Sequence, residues 1–228
     1  RLRVRDPSVP PNSFMSKHQD LNQETYNTIA LKYEDIYGQI PTAIALAKKL
    51  AEIMDPTKNA QILDLGCGSG SILKIFEDKL PSASLTGIDF SVELLKLAEK
   101  KLKRTKLKQM DLMSYDFNGE FDLIIATFSL IHLTDKELNE IATKIKTILN
   151  PNGYLYLSFI LGDEEKIVSE VLEPSKQVYF NYHSESEILS LFSSKEFKTI
   201  ESVIDEVKDE YETEQDLYLI LQKRNSSN

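Results

Sequence analysis

The sequence predicts an α/β fold: a mostly parallel sheet with helices on both faces. Three observations carry this expectation. Residues 61–70, Gln-Ile-Leu-Asp-Leu-Gly-Cys-Gly-Ser-Gly, join a short apolar run to three glycines at alternate positions, and Ser71 to Leu80 then reads as a helix. Beyond that turn, apolar runs of strand length alternate with helical periods as far as Phe159. The 228 residues also suffice for one α/β domain with a full core.

Taken in order, residues 20–38 place Leu21, Tyr26, Ile29, Ala30, Tyr33, Ile36 and Tyr37 mostly three or four apart, the spacing of an amphipathic helix. Pro41 opens a second helix that runs to about Met54, where Asp55 and Pro56 end it. Ile62, Leu63 and Leu65 form the first strand, and Ser84 to Ile88 the second. Ser91 is placed to cap a helix through about Leu102. Residues 105–110 make a weak third strand and Asp122 to Thr127 a strong fourth. Thr134-x-x-Glu137 is a capping box opening a helix to about Leu149. Asn150-Pro151-Asn152-Gly153 reads as a turn, and Tyr154 to Phe159 alternates as a fifth strand. In the tail, Glu185 to Phe192 is helical, while Thr199 to Lys208 and Leu217 to Leu221 are strands.

Residues 1–14 are rich in proline, lack periodicity and precede Met15; they read as a leader from an expression vector, leaving 15–228 as a single domain. With that leader set aside, the net charge moves from −9 to −11, because it holds three arginines and one aspartate. So acidic a body repels a phosphate backbone, which disfavours nucleic acid as a partner. The basic run Lys100, Lys101, Lys103, Arg104, Lys106 and Lys108 reads as the solvated end of a helix and its loop. The one cysteine, Cys67, permits no internal disulfide and reads as a small packing residue rather than a nucleophile. No apolar run approaches the roughly 18 residues of a membrane span, so the chain is expected to be cytoplasmic. His18, His132 and His183 show no metal-ligand spacing, and no metal is expected.

The chemistry is expected where the strands end. The glycine turn lets backbone approach a ligand, and the helix after it offers free N–H groups to an anionic group. It is not the dinucleotide pattern Gly-x-Gly-x-x-Gly, whose third glycine would fall at Ser71. Asp89, about twenty residues on in Gly87-Ile88-Asp89-Phe90-Ser91, is suited to take both hydroxyls of a ribose, beside the apolar Phe90. Asp111, in Gln109-Met110-Asp111-Leu112, is suited to accept a bond from an adenine amino group, with Met110 and Leu112 flanking the ring.

The series Ile62 to Gly70, Gly87 to Ser91, Met110 to Leu112, Phe121 to Leu133 and Leu149 to Phe159 resembles the successive motifs of the class I methyltransferases that use S-adenosylmethionine. Tyr26-x-x-Ile29-Ala30-x-x-Tyr33 and Tyr179-Phe180-Asn181-Tyr182 resemble stretches of the small-molecule members. The resemblance implies a Rossmann-like, doubly wound sheet of seven strands with an antiparallel C-terminal hairpin. It implies S-adenosylmethionine as donor and S-adenosylhomocysteine as product. Asp64, Gly66, Cys67 and Gly68 would hold the methionine end, Asp89 and Phe90 the ribose, and Asp111 and Leu112 the adenine. Thr127 and Phe128 would lie beside the methionine part. Independently of the resemblance, Tyr26, Tyr33 and Tyr37 near one helical face lead residues 20–38 to be expected as a lid over donor and acceptor, which brings Tyr26 and Tyr33 to the donor. The rival reading has these tyrosines only pack the helix onto the flank of the sheet. Two departures stand away from the cofactor loops: Lys195-Glu196-Phe197 lacks the usual glycine before phenylalanine, and Asn152-Gly153 replaces a pair of glycines.

The acceptor is less legible. Thr127-Phe128-Ser129-Leu130 lacks the Asn/Asp-Pro-Pro-Tyr type of motif of amino-group enzymes acting on DNA or glutamine. His132 is placed to accept a proton from an acceptor; the rival reading has it only shape the pocket or cap a helix. The expected function is methyl transfer to a small molecule. A protein or RNA acceptor, and a non-catalytic donor-binding protein, remain as alternatives, and the oligomeric state stays open.

Overall fold

The computed structural model describes residues 17–208 and 213–225; the leader expected over residues 1–14 lies outside them. Two helices come first, α1 (Lys17–Tyr37) and α2 (Pro41–Ile53). Then β1 (Gln61–Leu65), α3 (Ser71–Lys79), β2 (Ser84–Asp89), α4 (Val92–Lys101) and β3 (Lys106–Gln109) alternate. They are followed by β4 (Phe121–Thr127), α5 (Asp135–Ile148) and β5 (Leu149–Ile160). The tail holds β6 (Glu165–Glu170), β7 (Glu173–Asn181), α6 (Glu185–Leu191), β8 (Phe197–Lys208) and β9 (Thr213–Lys223).

Seven strands form one sheet in the order β3-β2-β1-β4-β5-β9-β8. The first five are parallel; β9 runs antiparallel to both β5 and β8. From β1 the chain winds outward through β2 to β3, then returns to the other side of β1 for β4 and β5. The strand order therefore reverses between β1 and β4, where open α/β sheets leave a crevice at the strands' carboxyl ends.

Side-chain alternation builds a core on each face. Leu63, Leu65, Ile124 and Ala126 point to the side of α5 and α6. Ile62, Leu123 and Ile125 point to the side of α2, α3 and α4. Leu123 through Ala126 are all fully buried, as a strand covered on both faces requires. Helix α5 starts on the expected capping box, with Thr134 and Glu137 bonding reciprocally. It buries Leu138, Ile141 and Ile145, each contributing about 1.5–3 kcal/mol.

Three features differ from the sequence expectations. The Asn150–Gly153 turn is a bulge inside a longer β5: pairing steps from Phe121↔Leu149 to Leu123↔Tyr154, and Asn152 takes φ 62° to absorb the extra residues. The basic run is only partly solvated. Arg104 bonds the carbonyls of Pro81 and Ala83 beyond α3, and Lys101 reaches Glu34 on α1 and Ser71 beside the glycine turn. Third, β6 and β7 form a separate two-stranded hairpin that the residue pattern did not reveal.

That hairpin covers α1. The Asn22 side chain donates to the Tyr179 carbonyl (3.0 Å) and accepts from its N–H (2.8 Å), so it stands in for the next strand of the hairpin. Thr25 donates to the Gln177 carbonyl at 2.6 Å. Tyr26, Ile29 and Ala30 of α1 pack with Leu94 and Val178 in a small core of their own.

Candidate active site

A cleft of about 680 Å³, part of it open to solvent, lies over the carboxyl ends of β1 to β4 and beneath α1. Gly66 and Gly68 come from the turn after β1, Asp89 and Phe90 from the end of β2, and Met110, Asp111 and Leu112 from the end of β3. Thr127, Phe128, Ser129, His132 and Leu133 follow β4. The roof brings Gln19, Asn22, Tyr26 and Tyr33, and α4 adds Leu94.

The turn after β1 is held by β2: the Gly66 and Cys67 N–H groups both donate to the Ile88 carbonyl at 2.9 Å. Gly66 has φ +79°, and a Cβ there would stand 2.4 Å from that of Ser129, so the position admits only glycine. Gly68, at φ +53°, has no atom within 4 Å of where a Cβ would be. Its N–H donates to Asp89 Oδ2 at 2.8 Å, and the Ser91 N–H donates to Oδ1 at 2.8 Å. Burial raises the Asp89 carboxyl to about 6, against these backbone bonds that favour its charge. Each carboxylate oxygen keeps a further lone pair for a ligand.

Asp111 begins a single 3-10 turn, Leu112–Ser114, and accepts from the Met113 N–H at 2.6 Å; burial raises its pKa. Phe128 holds φ 51°, a left-handed conformation that costs a bulky residue on the order of 1–3 kcal/mol. Its N–H bonds Ser158 Oγ at 3.0 Å, and its ring stands edge-on to Tyr218 at 5.6 Å. These contacts keep the chain turned sharply at the cleft wall.

Ten of the twelve residues expected at the donor line the cleft, and so does His132. Asp64 and Cys67 do not. Asp64 is buried in β1 with its Oδ1 unpartnered, and burial, then the Asp89 charge, push its pKa well up. Cys67 packs against Gly87, and burial likewise raises its thiol, which fits the expected packing role. Sequence reasoning missed Gln19, Asn22, Leu94, Ser129 and Leu133. Gln19 and Asn22 share the helical face of Tyr26, Ile29, Ala30 and Tyr33, so following that face toward the N-terminus would have found them. Ser129 Oγ is buried without a partner.

His132 sits at the junction of floor and roof. Its Nδ1 lies 2.9 Å from the Tyr179 carbonyl, and its Nε2 lies 2.9 Å from Tyr26 Oη. Burial lowers its pKa to about 4, so the ring is neutral near pH 7. Among the described residues no cluster of three His, Cys, Asp or Glu side chains could hold a metal, and no helix is long and apolar enough to cross a membrane.

Residues 62–153 match the family model of the methyltransferase domain. An uncharacterised protein of Methanocaldococcus jannaschii is 28% identical over 176 residues, covering 72% of this chain and 48% of that protein. The demethylmenaquinone methyltransferase of Staphylococcus carnosus is 29% identical over 179 residues, covering 68% of this chain and 74% of its own. The chain spans about half the length of the first curated relatives it matches, 48% and 44%. Among solved structures, magnesium protoporphyrin IX methyltransferase from Synechocystis PCC 6803 with bound S-adenosylmethionine superposes with a TM-score of 0.68 at 16% identity. That match covers 94% of this chain and all of the other. The match places a methyltransferase-domain pattern over residues 62–153, and the superposition shows that the chain shares the fold of that enzyme.

Proposed function

We propose that the chain is a class I methyltransferase that moves a methyl group from S-adenosylmethionine to a small-molecule acceptor and leaves S-adenosylhomocysteine. The observation that carries the reading is the cleft at the strand-order reversal, where Gly66 and Gly68, Asp89, and Asp111 with Leu112 converge in the order of the matched motifs. The residues suit the donor. The open space over Gly68 admits a ligand, Asp89 keeps lone pairs for two ribose hydroxyls, and Ser129 Oγ lacks a partner that a bound polar group would supply.

In this reading Asp89 and Phe90 hold the ribose, and Asp111 and Leu112 the adenine. The glycine turn, backed by Asp64 and Cys67, holds the methionine end; Tyr26, Tyr33, Thr127 and Phe128 surround the reacting end. Bound here, the donor supplies an activated methyl group on a sulfonium. The chain's own part is to align, to exclude water and to receive a proton where the acceptor has one to lose. A small acceptor is supported by the roofed cleft, by the acidic body, and by the Staphylococcus and Synechocystis proteins, both named for small-molecule substrates.

The test has two steps. Calorimetry is expected to show S-adenosylhomocysteine binding to the folded protein, and a screen of small metabolites is expected to yield product with one chemical class. A folded protein that binds neither donor nor product would overturn the reading.

A further inference from the structure

Two contacts of His132 determine which of its nitrogens carries the proton. The Tyr179 carbonyl, 2.9 Å from Nδ1, can only accept, so Nδ1 is the protonated nitrogen. Nε2 then offers a lone pair, and the Tyr26 hydroxyl, 2.9 Å away, must donate to it. The arrangement is braced from behind, because Asn22 holds the same Tyr179 peptide at both its N–H and its carbonyl. His132 therefore has no free lone pair for an acceptor, whereas Tyr26 Oη keeps one, and Tyr26 is among the residues that line the cleft.

The charge of the cleft adds a second constraint. Its ionisable lining groups are Asp89, Asp111, His132 and the tyrosines Tyr26 and Tyr33; no lysine or arginine is among the described lining residues. An acceptor bearing a carboxylate or phosphate would meet two acids there and no basic side chain to pair with.

We propose, resting on the methyltransferase reading, that Tyr26 is the catalytic group that meets the acceptor's proton, that His132 is a positioning residue acting through it, and that the acceptor is attacked at an un-ionised O–H or N–H. As the attacking atom's lone pair bonds the methyl carbon, the carbon–sulfur bond breaks with its electron pair on sulfur. The O–H or N–H proton passes to Tyr26 Oη while Tyr26's own proton passes to His132 Nε2. The resulting imidazolium keeps its Nδ1–H on the Tyr179 carbonyl. The sulfonium charge is lost as the imidazolium charge appears, so the net charge of the cleft does not change. A weakly basic, buried histidine suffices for that exchange.

The first test needs no acceptor. Long-range proton–nitrogen correlation on histidine-labelled protein loaded with S-adenosylhomocysteine is expected to show His132 neutral and protonated at Nδ1 at pH 7. An Nε2-protonated or doubly protonated ring would overturn the relay. The second uses a matched panel of phenols, catechols and ring N–H heterocycles against carboxylates, phosphates and thiols. Product is expected only from the first group; transfer confined to the second would overturn the acceptor class. With an acceptor from the first group, Tyr26→Phe and His132→Phe are each expected to slow single-turnover methyl transfer by about 10²–10⁴-fold. The double variant should be no slower than either single variant, because the pair acts as a unit. Calorimetric affinity for S-adenosylhomocysteine should stay within about threefold. Independent, multiplying losses, or a loss confined to donor affinity, would overturn the relay; absence of donor binding in the unaltered protein would instead sink the methyltransferase reading.

Discussion

The floor of the cleft and its roof are held by different forces. At the centre of the floor, β1 and β4 are apolar on both faces: Ile62, Leu63, Leu65, Ile124, Ile125 and Ala126 are all fully buried, and backbone ladders tie β1 through β4 strand to strand. The roof, α1 with the β6–β7 hairpin, has a small core of five residues. It is joined largely by side-chain to backbone bonds, those of Asn22, Thr25 and Gln23. Segments with few buried apolar contacts open at lower free energy than a core sheet. The difference separates the expected roles: in the proposed reading the floor would fix where a ligand's ribose and base lie, and the roof would open to admit it.

The largest effect is expected at the floor. Asp89→Ala leaves the Gly68 and Ser91 N–H groups without their 2.8 Å partners, at about 1–3 kcal/mol each. It also removes two ribose bonds, each worth roughly 1.5–3 kcal/mol, so donor affinity should fall by tenfold or more. Denaturant titration and calorimetry read the two effects separately. Unchanged affinity in a folded variant would reject the ribose role of Asp89.

The same carboxyl makes binding depend on pH. Folding raises it from 3.8 to about 6, and the ionised form is the one that accepts two hydroxyl protons. Affinity for S-adenosylhomocysteine should therefore fall as pH drops through 6, by roughly tenfold between pH 7.5 and 5. The contribution to folding has the opposite sign: it is present below 3.8 and is lost as pH rises through about 6, because the buried carboxylate must then ionise. Calorimetry at the two pH values, with a second buffer to remove ionisation heats, measures the first.

At the roof, Asn22→Ala should cost about 1–3 kcal/mol by leaving the buried Tyr179 peptide unpartnered. Amide exchange should rise together across α1 and β7 and stay unaltered in β1 to β4. A rise spread evenly over both regions would erase the distinction between floor and roof. The smallest effect belongs to the pair Lys176–Glu24, whose side chains are 29% and 68% exposed. Removing it by Lys176→Ala should leave the denaturation midpoint unchanged, because solvent screens so exposed a pair.

The same division explains what could be read from the residues alone. The floor was legible because its signals are local: apolar runs, alternate glycines, the Ser91 and Thr134 caps, and acids at strand ends. The hairpin was not. Glu165-Lys166-Ile167-Val168-Ser169-Glu170 is half charged, its two-residue turn is Val171-Leu172, and Pro174 interrupts the return strand. Its partners are Asn22 and Thr25, more than 150 residues away, which no local pattern displays. Tyr26 and His132 were each singled out, yet their contact spans 106 residues and appeared only in the fold. Phe128's left-handed turn had no signal, since nothing in Thr127-Phe128-Ser129 marks a positive φ.

Hydrogen exchange with and without S-adenosylhomocysteine tests most directly the claim that a donor is held between a fixed floor and a closing roof. Exchange in β1 to β4 is expected to be slow in both states, while residues 20–37 and β7 gain protection when the ligand binds. Slow exchange in α1 and β7 without ligand, unchanged by saturating ligand, would contradict it.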